Sequence, residues 1–136
     1  MITEIKKDKI TEIKERDPLT ERIIACAYKV HSELGPGFIE RIYHNALKEA
    51  LNQEMLKYNS EKEFTVFYQG KEVGTFKADL IIEDRVIVEV KAVEGNIPKI
   101  FEAQVLSYLK VAEKQVGLLI NFGNKSCQVR RLMQDV

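Results

Sequence analysis

The segment FKADLIIEDRVIVEVKA, residues 76–92, constrains this chain more than any other. Two β-branched apolar runs flank a polar Glu-Asp-Arg connection, the pattern of a hairpin built from well-buried strands. Asp79, Glu89 and Lys91 interrupt it with charge. Side chains alternate faces along a strand. Phe76, Ala78, Leu80 and Ile82 therefore form one apolar face of the first arm, and Val86, Val88 and Val90 the matching face of the second. Joining those faces requires a connection through residues 83–85, which sets Asp79 opposite Glu89; a turn one residue shorter would send the two acids to opposite faces. The other face carries Asp79, Ile81, Ile87, Glu89 and Lys91. Alternating polar residues usually mark a solvated face, but Ile81 and Ile87 argue that this one is covered. Carboxylates brought together repel, and one pKa rises unless a cation offsets them. Such a grouping is either a functional cluster or a structural ion pair, and the hairpin alone does not separate the two.

The flanking periodicities predict a mixed α/β domain around this hairpin. Asp17-Pro18 has the form of a helix start, with Asp as cap and Pro at the first helical position. Ile23, Ile24, Ala27, Val30 and Leu34 then recur at helical spacing until Gly-Pro-Gly at 35–37. A second helix is expected from Ile39, with Ile42, Tyr43, Ala46, Leu47, Ala50 and Leu51 as its apolar stripe, fading near Met55. Residues 63–92 read as strands broken at Gln69-Gly70 and Glu83-Asp84. A third helix follows, opened by Asn96 and Pro98, and residues 115–123 and 126–132 supply closing strands around Gly123-Asn124. Residues 1–17 form a charged extension in which TEIK occurs at 3–6 and 11–14; Ile5, Ile10 and Ile13 are its candidate docking residues. Residues 18–136 make the domain.

A length of 136 residues suits one domain, and 45% hydrophobic content suits a real core. Twenty-one basic and 21 acidic residues cancel. Bulk charge thus lends no support to nucleic-acid binding by counterion release, although a local patch acts independently of the average. Cys26 and Cys127 lie far apart and match neither a disulfide framework nor a metal-ligand spacing, which suits a reducing cytosol. Without a secretory signal or an apolar run of membrane-spanning length, a soluble cytoplasmic protein with no membrane partner is expected.

Asp79 followed by Glu89-Val90-Lys91 resembles the PD-(D/E)xK nuclease superfamily, and GFIERIY at 37–43 matches G-x-x-E-x-x-Y, the signature of its GxxExxY family. Gln104-x-x-x-Tyr108, within EAQVLSYLK, is similar to the Q-x-x-x-Y element of RecB-like nucleases. The resemblance runs from about residue 19 to 132, with Ala78 where the superfamily's proline would stand. It implies a restriction-endonuclease-like αβββαβ core, with a mixed central sheet flanked by helices and an additional N-terminal helix. It also implies Mg2+, or Mn2+ as a substitute, held by Asp79, Glu89 and the Val90 carbonyl, with Glu40 reaching the ion through water. Lys91 would position a metal-activated water that attacks a DNA or RNA backbone phosphate. Gln104 would pair with Lys91 or with a phosphate, Tyr108 and Tyr43 would position substrate, and a homodimer is admitted.

Each residue also has a structural reading. Glu40 in a first helical turn suits the helix dipole. Tyr43 lies on an apolar stripe and suits the core, His31 suits a structural role, His44 has no assigned role, and both cysteines suit packing. A non-catalytic binding or interaction module that keeps the nuclease fold is the alternative function. Neutral charge and a short chain favour that module. The complete Asp79, Glu89 and Lys91 set favours an enzyme.

Overall fold

Asp17 and Pro18 start the first helix as the sequence predicts. In the computed structural model, which describes residues 17–134, helix α1 (Pro18–Leu34) has Pro18 in its first turn, and the Asp17 side chain accepts the Leu19 N–H at 2.9 Å. Gly35, at φ 69°, ends it by donating its N–H to the His31 carbonyl. The candidate docking residues Ile5, Ile10 and Ile13 lie outside the described residues. Helix α2 (Glu40–Gln53) buries Tyr43, His44, Leu47, Ala50 and Leu51. Ile42, expected on that stripe, is exposed because it falls to the side of the Tyr43–Leu47 arc.

Strands β1 (Tyr58–Tyr68), β2 (Lys71–Ile82) and β3 (Val86–Lys91) form an antiparallel meander. Helix α3 (Lys99–Ala112) crosses to β4 (Val116–Asn121), which lies parallel to β3, and β5 (Gln128–Met133) closes the sheet antiparallel to β4. The strand order is β1-β2-β3-β4-β5. β1 begins at Tyr58 rather than Glu63 because Tyr58, Asn59 and Ser60 pair with β2 through their backbones, to which hydrophobic patterning is blind. Pro98 is the N-cap residue of α3 and makes no side-chain cap hydrogen bond, so Asn96 does not stand at the cap position. Among the described residues no helix is long and apolar enough to cross a membrane.

Helices α1 and α2 cover one face of the sheet through a core that includes Ile23, Leu47, Leu51, Leu80, Val88 and Phe122. α3 covers the other over Ala78, Ile81, Ile87, Val105, Leu109 and Leu119. The hairpin register follows the expectation, with Leu80 opposite Val88, Ile81 opposite Ile87 and Ile82 opposite Val86. Phe76 and Ala78 do not share the face of Leu80 and Ile82, however. Ala78 packs beneath α3, and Phe76 stacks on Tyr108 of α3 at 4.0 Å. The strand changes face at Asp79, where β1–β2 pairing passes over Glu61 and Asp79 and Glu61 takes a positive φ of 56°.

Gly117 sets how closely α3 approaches the sheet. A Cβ there would lie 2.6 Å from Val105 Cγ1 and 3.4 Å from both Leu109 methyls. Gly117→Ala is therefore expected to destabilise the fold by about 1–3 kcal/mol through overpacking, measured as a lowered urea midpoint at unchanged slope.

Candidate active site

Beyond Leu80 and Val88 the β2–β3 ladder stops. Backbone groups that leave a ladder inside a protein need other partners. Here two side chains supply them reciprocally. Glu89 Oε2 accepts the Asp79 N–H at 2.9 Å, and Asp79 Oδ2 accepts the Val90 N–H at 2.8 Å. The acids expected to face each other across the hairpin are thus clamped side by side where the strands part. Asp79 Oδ1 and Glu89 Oε1 are committed to no hydrogen bond or ion pair among the described residues.

Glu89 is 4% exposed. Its burial, reinforced by the charge of Asp79, pushes its pKa up to about 8; the Asp79 amide and Lys91 oppose that rise without cancelling it. Lys91 forms no ion pair with either acid among the described residues; its Nζ sits 4.4 Å from the centre of the Phe101 ring. A purely structural ion-pair cluster is not what these residues form.

Backbone direction bears on Val90. The Phe122 N–H donates to the Lys91 carbonyl at 2.9 Å, so Lys91 turns its backbone toward β4. Successive strand residues turn their backbones to opposite edges, and Val90 accordingly faces β2, with its N–H on Asp79. Its carbonyl is directed toward the gap between the parted strands.

Glu40 opens α2 near these groups. Burial raises its pKa, Lys91 lowers it and Asp79 raises it, which places Glu40 within the field of both. It does not complete a compact ligand set: among the described residues no group of three or more His, Cys, Asp or Glu is gathered closely enough to hold a metal ion.

Gln104 and Tyr108, one turn apart on α3, border the acids from the other side. Burial and the charges of Glu89 and Asp79 raise the Tyr108 pKa, whereas the adjacent Gln104 amide lowers it. Gln104 Oε1 is buried without a hydrogen-bond partner among the described residues. Lys91, one partner expected for it, lies on Phe101 instead.

Tyr43 is a correction. It is fully buried, its hydroxyl donates to the Gly35 carbonyl and accepts the Phe38 N–H at 3.1 Å, and its ring stacks on Phe122 at 4.7 Å. A side chain so enclosed cannot touch substrate. It pins the loop that delivers Glu40 to the site.

Sequence reasoning missed a second polar cluster. Arg41 Nη2 lies 2.8 Å from Glu61 Oε2, and Nη1 lies 3.3 Å from His44 Nδ1, whose Nε2 is 3.4 Å from Ser60 Oγ. Burial lowers the His44 pKa despite the opposing pull of Asp79, so a neutral ring is available to accept from Arg41. Nothing local in the sequence joins α2 to the irregular stretch of β1. Asn121 was missed as well, although a polar residue closing VGLLIN was a usable signal. It is fully buried, accepts the Val93 and Gly123 N–H groups, and donates to the Val93 carbonyl, which secures the chain just past Lys91.

A family model described as the PD-(D/E)XK nuclease superfamily matches residues 17–132. No curated protein matches the chain. Among solved structures, one titled "Crystal structure of SSO0001" superposes with a TM-score of 0.58 at 20% identity, over 71% of this chain and 51% of that one. The chain thus spans about half the length of that neighbour. The sheet order and helix placement agree with a restriction-endonuclease-like fold.

The buried acid makes stability depend on pH. Between about 4.5 and 8 the folded state retains a proton on Glu89 that the unfolded state has released, so stability falls as pH rises through this window. Glu89→Gln keeps an acceptor for the Asp79 N–H but does not titrate. Its melting temperature is expected to match wild type near the acidic end and to exceed it progressively toward the alkaline end. A difference independent of pH would show that Glu89 is not a desolvated acid.

Proposed function

Because this chain belongs to the PD-(D/E)XK nuclease superfamily, we propose that it is a divalent-cation-dependent nuclease that hydrolyses DNA or RNA phosphodiesters at Asp79, Glu89 and Lys91. The Asp79–Glu89 clamp carries this reading: two adjoining carboxylates, one deeply buried, have no ion pair among the described residues to neutralise them. Lys91 forms no ion pair with either acid among the described residues, so a site retired from catalysis would be free to lose its charge. The motif at 37–43 supports membership of the GxxExxY group, and two free cysteines suit a reducing, cytoplasmic setting.

The donor set fits Mg2+, with Mn2+ as a substitute. Asp79 Oδ1, Glu89 Oε1 and the Val90 carbonyl are hard oxygens, and Mg2+ commonly takes only one or two carboxylates while keeping several waters. Glu40 would reach the ion through water rather than as a direct ligand, in keeping with the absence among the described residues of a compact group of three such side chains. When bound, the cation supplies Lewis-acid charge that offsets the anionic phosphate and makes water a stronger acid. Lys91, held over Phe101, donates hydrogen bonds that orient the attacking water. The orphaned Gln104 Oε1 accepts from that water or from substrate, and Tyr108 positions the nucleotide beside it.

Two measurements test the proposal. Lys91→Ala should keep the fold and lose about 10²-fold or more of the Mg2+-dependent cleavage of DNA or RNA. Wild-type-like cleavage by the variant would place the activity elsewhere. Cation binding is also readable without substrate. For an assumed Kd of about 1 mM, about 10 mM Mg2+ stabilises by RT ln(1 + 10), about 1.4 kcal/mol. That corresponds to a rise of about 3–7 °C in Tm for a domain of this size, against KCl at matched ionic strength. A magnesium-specific shift without cleavage of any nucleic acid would favour the non-catalytic module.

A further inference from the structure

We infer that Arg41 is a phosphate-binding residue of the same site, taking the phosphodiester adjacent to the one cleaved and occupied by Glu61 until substrate arrives. The inference rests on the nuclease reading above and adds a substrate contact to it.

Arg41 directly follows Glu40 in the opening turn of α2, and its guanidinium meets Glu61 at 2.8 Å. Glu61 stands in the gap between the Ser60–Leu80 and Lys62–Ala78 pairs, the place across from Asp79. Glu61 belongs to β1, the strand next to β2 in the sheet, so its contact with Arg41 holds the guanidinium on the strand that borders the clamp. Glu40 and His44 each feel the Arg41 charge, and Arg41 feels Asp79.

The guanidinium is fixed on two sides, by Glu61 at Nη2 and by buried His44 at Nη1, and His44 is itself held by Ser60. A planar fork presented in this way matches two phosphate oxygens. Its side chain is 53% exposed and that of Glu61 43%. An exposed ion pair of this kind contributes little to stability, so phosphate can replace Glu61 readily.

Asp79, Glu89 and Glu40 outnumber Lys91, and the whole chain has no net charge to draw in a polyanion. A further cation near the acids adds to the attraction that Lys91 and a bound divalent ion would supply, and Arg41 occupies such a place. An ordinary surface ion pair would leave substrate binding unaffected.

The experiment uses the full chain. Arg41→Ala, Arg41→Lys and Glu61→Gln are made in the otherwise wild-type protein and assayed with Mg2+ on single-stranded DNA, duplex DNA and single-stranded RNA, with Tm as the control for folding. Arg41→Ala should raise KM about tenfold while leaving kcat nearly unchanged, the mark of lost ground-state binding. In a Lys91→Ala background with EDTA, fluorescence anisotropy should show the slope of log K against log salt falling by about 0.7 on a single strand or 0.9 on a duplex. Arg41→Lys should restore the slope but only part of the affinity, and Glu61→Gln should tighten binding. Wild-type cleavage combined with an unaltered KM for Arg41→Ala overturns the Arg41 assignment and leaves the nuclease reading standing. Absence of cleavage by the wild type on all three substrates overturns the nuclease reading, and this assignment with it.

Discussion

The exchange of hydrogen bonds between Asp79 and Glu89 is the constraint on which the site depends. It occurs where β2 and β3 part, so each carboxylate takes over an amide that the ladder no longer serves. Leaving such an amide unpaired in the interior costs about 1–3 kcal/mol, which gives both acids a structural reason to stay where they are. The same closeness sets two like charges together in a place poor in water, and Glu89 responds by holding its proton toward neutral pH. Stability and function therefore pull on the same side chains. The clamp orders the carboxylates, and their mutual repulsion leaves them in want of a cation.

The rest of the fold is arranged around that pair. β3 is a central strand, with β2 on one edge and the parallel β4 on the other. The parallel pairing requires a crossover, and α3, as that crossover, lays Phe101, Gln104 and Tyr108 over the face carrying Glu89 and Lys91. Gly117 permits the close approach. From the other layer, Tyr43 anchors the loop before α2, which presents Glu40 and Arg41. Asn121 secures the segment after Lys91. The candidate site thus lies at the carboxyl ends of β3 and β4, where open α/β sheets commonly bind ligands.

Much of this was legible in the sequence, for identifiable reasons. Alternating β-branched residues and the length of the 83–85 connection determined the hairpin register, because a slip of one residue would exchange buried for exposed faces. Asp17-Pro18 and Gly35 determined the ends of α1, because caps and positive φ are local chemistry. The change of face at Asp79 was not legible. It depends on Glu61 adopting a positive φ, which no apolar pattern records. The early start of β1 was hidden for a related reason, since backbone pairing holds Tyr58 to Ser60 in the sheet whatever their side chains.

The sequence by itself singled out the candidates for chemistry: Asp79, Glu89 and Lys91 in one hairpin, with Gln104 and Tyr108 one helical turn apart. Those relations span few residues, and strand or helix periodicity resolves them. Only the tertiary structure decided what each side chain touches. It moved Tyr43 into the core, put Lys91 on Phe101 rather than on the acids, left Gln104 Oε1 without a partner among the described residues, and joined Arg41 and His44 to Ser60 and Glu61. Contacts of that kind join elements far apart in the chain, and the packing of helices against the sheet sets their distances.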